Sequence, residues 1–471
     1  MKKAILSIIV LIWWVSTAIA QPCLPDGITF TTQSQIDSFP ILYPNCTEIE
    51  GNVGIEGSDI AVLSSLSVLT SIGGDLHITA NDSLMNLIGL DNLTSVGGTV
   101  YIEFNNSLIS LVGMEGLTTI GGPLFIWWNS SLTSLSGLEG LISVGSILGI
   151  SSNSSLTSLS GLDSLTYIGG HLDLFFNNAL TSLSGLESLT TIGGDLKLES
   201  NAALTNISGL ESLTSLGGSL WIYVNETLES LSGLEGLTQV MGNLTIVAGD
   251  ALQSLLGLEG VIYIEGGLYM SGNHSLTSLS GLENVTTIGG EFAITAHNGI
   301  TSLSGLGGLT SIGGDLTIRN NDALTNLNGI DSIDAASISN LYIYNNDFLS
   351  TCDVKSICDY LASPNGTVEI YGNNNGCNSP QEVEEACIVS VPEQETVFQL
   401  TIYPNPTVTD VTISGMEGII EEISIYTKLG QRVIHEMKPE NTIDVSWLPK
   451  SLYIVEVVWD GYRVREKLIV Q

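Results

Sequence analysis

The sequence predicts an all-β protein: a parallel β-solenoid of 24-residue coils with disulfide caps, followed by a small antiparallel β-sandwich. Three observations carry this. A Leu-rich unit recurs in fixed register through most of the chain. All cysteines lie outside the repeats. The charge composition changes sharply after residue 391.

One unit reads Gly-Gly-x-Leu-x-Ile-x-x-Asn-x-x-Leu-Thr-x-Leu-x-Gly-Leu-Glu-x-Leu-Thr-x-Ile. Its leading apolar residue falls at Leu76, Val100, Leu124, Leu148, Leu172, Leu196, Leu220, Leu244, Leu268, Phe292 and Leu316, every step being 24 residues. Val53 precedes the series, and Leu341 and Val368 continue it at slightly longer spacing. Such a fixed period is the signature of a repeat architecture. Within a unit, Leu196-Lys197-Leu198-Glu199 alternates apolar and polar as a strand does. The Gly-Gly pair before it suits a tight bend. The Leu-x-x-Leu-x-Gly-Leu stretch after it is too short and too rich in Gly and Ser for a helix. One coil per repeat follows, with parallel strands about 4.8 Å apart and thirteen or fourteen coils spanning roughly 60–65 Å.

Two polar ladders accompany the strands. An Asn recurs five residues after the strand Leu, from Asn81 to Asn346, interrupted by Gly249 and His297. Stacked amides both donate and accept, so an inward ladder satisfies turn backbone. Some of these Asn lie in glycosylation sequons, such as Asn81-Asp82-Ser83, which gives a competing surface reading. The second ladder, Asp91, Glu115, Glu139, Asp163, Glu187, Glu211, Glu235, Glu259, Glu283 and Asp331, reads as solvated turn acids. Bridging by Ca²⁺ is the alternative, but one carboxylate per coil is a sparse ligand set.

The chain holds 471 residues with 12 Lys+Arg against 49 Asp+Glu, a net charge of −37. That excess argues against nucleic acid and anionic membranes as partners. With 43% hydrophobic and only 13% charged residues, there is ample material for a core. Met1-Lys2-Lys3, an apolar run and Ala18-Ile19-Ala20 predict a signal peptide cleaved between Ala20 and Gln21. No later run is long and apolar enough to predict a transmembrane span. An exported chain meets oxidising conditions, so Cys23, Cys46, Cys352, Cys358, Cys377 and Cys387 read as disulfides, paired within each cap.

The expected order is a signal peptide (1–20), an N-terminal cap (21–46), the solenoid (47–347), a disulfide cap (348–390), a linker (391–398) and a C-terminal domain (399–471). Residues 21–350 contain only Lys197 and Arg319 as cations against 31 carboxylates, whereas residues 399–471 contain seven cations and ten acids. Short β-rich runs at 410–413, 423–426, 442–445, 451–458 and 462–470 suggest the sandwich.

At its repeats the chain resembles the receptor L-domain superfamily, over roughly residues 47–390. That resemblance implies a sheet face that binds protein or other ligands without catalysis. The last 73 residues carry Tyr403-Pro404-Asn405-Pro406, Ile423-Ser424-Ile425-Tyr426 with Gly430-Gln431-Arg432-Val433, Ile443-Asp444-Val445-Ser446, and Lys467-Leu468-Ile469-Val470. In these motifs the segment resembles a type IX secretion C-terminal sorting domain. It implies the type IX secretion machinery as a partner and a secreted or outer-membrane surface location.

Motifs for conventional enzymes are missing: there is no His-Glu-x-x-His, no Gly-x-Ser-x-Gly and no phosphate loop. A non-catalytic protein without cofactor or metal is expected. Asp173, Lys197 and Glu199 on adjacent outward positions offer acid–base chemistry on a polysaccharide as an alternative; a charge pair on a solvated face is the simpler reading. Outward strand positions also carry Tyr101, Phe125, Trp127, Phe175, Trp221, Tyr223, Tyr269, Tyr342 and Tyr344, nine of 30 aromatics. Aromatics in rows suit a glycan or a protein ligand. Packing between coils, or a purely structural stalk, would be the competing explanations.

Overall fold

The computed structural model describes residues 22–390, 401–414, 420–428, 431–437, 440–459 and 462–471. The expected signal peptide, the cleavage site Ala20–Gln21 and the linker lie outside these residues. The described chain forms two compact units divided between Ile388 and Val389.

The first unit is a parallel β-solenoid. Its long strands form a fifteen-stranded sheet running from Ile28–Phe30 through Val53–Ile55 and Leu76–Thr79 to Leu341–Tyr344 and Val368–Tyr371. The 24-residue repeat fixes the register: Leu124 faces Leu148, Phe125 faces Gly149, Ile126 faces Ile150 and Trp127 faces Ser151. Along a typical strand, Leu124 and Ile126 are buried while Phe125 and Trp127 look outward. Two-residue strands such as Thr191–Ile192 make a second, narrow layer of nine strands and then four. Between the layers, Leu, Ile and Val from every coil form one continuous apolar cluster, so each coil is buried only through its neighbours.

The residue after each four-residue strand of this sheet turns left-handed, as at Trp128 (φ 53°) and Phe176 (φ 56°). Such a conformation costs a residue with a Cβ roughly 1–2 kcal/mol. It also aims the following Asn into the core. Asn153 is fully buried; its Nδ2 donates to Ile126 O (2.8 Å) and its Oδ1 accepts from Asn129 N (3.0 Å). The ladder is therefore inward, and the sequon Asn81 is equally buried. Asn373, not anticipated, extends the ladder by accepting from Asn346 N at 3.0 Å.

The acidic ladder has a structural use that differs from free solvation. Each carboxylate folds back onto the amide of the glycine two residues earlier, as Glu187 Oε2 does to Gly185 N at 2.9 Å. Gly185 has φ +109°, and a Cβ there would lie 2.2 Å from Leu159 O. Only glycine fits this corner, and the acid caps the amide that the turn leaves exposed.

Both ends are closed by helices. The N-terminal cap contributes a strand, Ile28–Phe30, and a helix α1, Gln33–Leu42. Thr32 and Gln35 form a capping box at its start, and Ile36 and Phe39 enter the core. At the other end, α2 (Lys355–Ala362) buries Tyr360, whose hydroxyl donates to Ser339 O at 2.9 Å. A third helix, α3 (Pro380–Ser390), follows the last strand. Cys23 joins Cys46, Cys352 joins Cys377 and Cys358 joins Cys387, each pair within one cap.

The described residues of the second unit form two antiparallel sheets. One holds Thr401–Tyr403, Asp410–Ser414 and Thr442–Asp444; the other holds Arg432–Met437, Ile420–Thr427, Ser451–Trp459 and Tyr462–Val470. Val411, Ile413, Ile423, Ile425, Val455 and Leu468 share their core. Thr401–Tyr403 and Arg432–Met437 are strands beyond those expected. Asn405 ties the first motif to the last: its Nδ2 donates to Lys467 O (2.6 Å) and its Oδ1 accepts from Ile469 N (2.9 Å).

Candidate recognition face of the solenoid

Outward side chains of the long strands form two rows, one and three residues after the strand Leu. Because the sheet is parallel and in register, equivalent positions stack from coil to coil. His77 stacks on Tyr101 at 4.6 Å between ring centroids, Tyr101 meets Phe125 at 5.4 Å, and Phe125 meets Trp127 at 4.4 Å. Phe175 stands two coils beyond Trp127, across Ser151. Trp221 and Tyr223 pair with each other at 6.4 Å farther along the sheet. Tyr269 lies between Thr245 and Ala293. Near the C-terminal end Tyr344 stacks on Tyr371 at 4.9 Å, and Arg319 Nη1 donates to the Tyr344 hydroxyl at 3.1 Å. Tyr342 occupies the neighbouring row beside Thr317. The expected residues thus gather into separate clusters along the sheet.

A third row escaped the sequence reading. Strict alternation would send the fifth residue of the strand inward, but its left-handed turn sends it out. Phe104 (44% exposed), Trp128 (46%) and Phe176 (49%) occupy this row. Phe104 and Trp128 lie 4.8 Å apart and within 7° of parallel, making a flat exposed shelf beside Trp127. The usable signal was a bulky ring immediately before the ladder Asn, where most coils have Ala, Ser or Asn.

The charged group of the face sits on the next coils. Lys197 Nζ is 3.2 Å from Asp195 Oδ2 and 3.8 Å from Asp173 Oδ1, and His171 Nδ1 is 3.3 Å from Asp195 Oδ2. Burial raises Asp173 above the ordinary carboxylate range despite Lys197. Burial acts the same way on Asp195, but hydrogen bonds from Ser219 N–H and Lys197 outweigh it and hold that acid low. Lys197 therefore serves Asp195 first, a partner absent from the sequence reading. Glu199 lies opposite Phe175 in the other row. Among the described residues, no three His, Cys, Asp or Glu are grouped to hold a metal.

Residues 45–123 match the Receptor L domain family, and the coils to Tyr371 continue the same register. Residues 401–471 match the Secretion system C-terminal sorting domain. No curated protein matches the chain. No helix among the described residues is long and apolar enough to cross a membrane. The sorting domain indicates export by the type IX system to the cell surface or beyond. The chain thus joins a β-solenoid, whose residues 45–123 match the Receptor L domain family, to a C-terminal sorting domain that indicates type IX export.

Proposed function

We propose that the protein is a non-catalytic binding or adhesion protein, presenting the outward face of its long-strand sheet to a glycan or protein ligand. The carrying observation is the concentration of solvent-accessible rings on that face, with Trp128, Trp221, Tyr223 and Phe176 all exposed. Large exposed aromatics cost solubility, and a merely structural sheet would be satisfied by Thr or Ser there. Rings present wide apolar surface with little entropy to lose on binding. The C-terminal domain serves export, and the rigid solenoid serves recognition.

The test is a variant with Phe125, Trp127, Trp221 and Tyr223 all replaced by Ser. On an array of glycans and proteins it should lose binding by at least about tenfold, the scale of one or two lost anchors. Its circular dichroism and melting should stay near wild type. Unchanged affinity, or loss of the fold, would return these rings to a packing role.

A further inference from the structure

Both outward rows are interrupted on the same coil. Gly149 stands between Phe125 and Asp173 in one row, and Ser151 stands between Trp127 and Phe175 in the other. A Cβ on Gly149 would lie 2.8 Å from Phe125 Cδ1 and 3.3 Å from Trp127 Nε1, so both rings lean over the space the glycine leaves. The result is a notch of about 150 Å³ lined by Trp127, Trp128, Gly149, Ser151, Asp173 and Phe175. A volume of this order admits the end of one extended side chain. Lysine's alkylammonium chain has that size.

Asp173 is the charged member of this lining. Its Oδ1 is buried without a hydrogen bond, and Lys197 Nζ at 3.8 Å is too distant to supply one. The surroundings are acidic. Glu103 neighbours Trp127 in register and Glu199 neighbours Phe175, while Lys197 is engaged by Asp195 at 3.2 Å. Residues 21–350 as a whole hold two cations against 31 carboxylates. An anion would be repelled. A neutral sugar would gain the ring faces but not the field. A cation gains both, because ring faces and a carboxylate attract positive charge.

We propose that this notch receives a cationic side chain, a lysine displayed by a protein partner. The assignment rests on the reading of the sheet face as a binding surface and names the chemistry recognised there. Its test uses the full-length protein with three probes: a capped Gly-Gly-Lys-Gly-Gly peptide, the same peptide acetylated on lysine, and cellopentaose. Tryptophan fluorescence should report binding of the lysine peptide, weakening as salt rises. Acetylation should reduce affinity by about tenfold, the scale of a partly desolvated cation–π contact with a carboxylate. Gly149→Leu should fill the notch and abolish the signal. Asp173→Asn, nearly the same shape, should weaken binding while leaving melting unchanged. Equal affinity for the acetylated peptide, or no binding of the lysine peptide up to its solubility limit, overturns the cationic assignment. Cellopentaose binding that Gly149→Leu removes would overturn it too, in favour of a glycan, and would leave the face reading intact. The four-ring variant on the array decides the face reading separately.

Discussion

Replacing Asn153 by Ala should destabilise the middle of the solenoid by about 3–5 kcal/mol. The Asn153 side chain is fully buried and fully used. Its Nδ2 donates to Ile126 O at 2.8 Å and Ser151 O at 3.1 Å, and its Oδ1 accepts from Asn129 N at 3.0 Å. Alanine would leave these backbone groups without those partners in an apolar interior. Each buried orphan costs about 1–3 kcal/mol. Repeat arrays lose cooperativity when one interface weakens, so the loss should appear as an early transition confined to neighbouring coils. Denaturant unfolding followed by hydrogen exchange reads it: amides on the flanking strands should exchange far sooner than those near α1. A cost below about 1 kcal/mol would mean that water replaces the ladder at no penalty.

The largest pH effect should come from His297, which occupies a ladder position. The ring is fully buried and stands 3.3 Å from Asn273 Nδ2, while its Nδ1 has no hydrogen bond. Burial lowers its pKa to about 4 from 6.5; contacts with Asn321 and Thr295 oppose this only in part, and His274 adds repulsion. The unfolded chain takes up this proton first. Stability is therefore full above pH 6.5, falls between 6.5 and about 4, and loses nothing further below. The gap corresponds to about 3 kcal/mol. His297→Asn places the ladder's usual residue in that slot. Measured side by side, the stability advantage of H297N should grow by about 3 kcal/mol between neutral pH and pH 4. Carboxylates titrate alike in both proteins and cancel in the difference. Parallel curves would show that the ring ionises freely in place.

Much of this architecture was legible because a repeat in fixed register leaves a parallel sheet little freedom. Leu124 and Leu148 must align, and once they do the whole coil follows. The inward Asn ladder was legible for the same reason. What escaped was local conformation that period-two alternation does not encode. Alternation alone cannot reveal that Trp128 adopts φ 53° and faces outward, so the shelf with Phe104 was missed. The corner acids looked solvated because their partner is a backbone amide, which leaves no trace in residue identity. Helix α1 carried a signal in Thr32 and Gln35, the residues of its capping box. The notch depends on an absence, the missing side chain of Gly149 between large neighbours, and only the stacked coils display it.

In the proposed function, recognition uses the outward face of the long-strand sheet. Hydroxyl-radical footprinting of the full-length protein, with and without the ligand that the array returns, tests it most directly. Trp128, Trp221 and Tyr223 are exposed on or beside that face, whereas Tyr167 is exposed on the narrow sheet and Phe348 on a turn. Bound ligand should shield rings of the first group several-fold and leave Tyr167 and Phe348 unchanged. Shielding of Tyr167 or Phe348 with Trp128, Trp221 and Tyr223 still fully oxidised would contradict it.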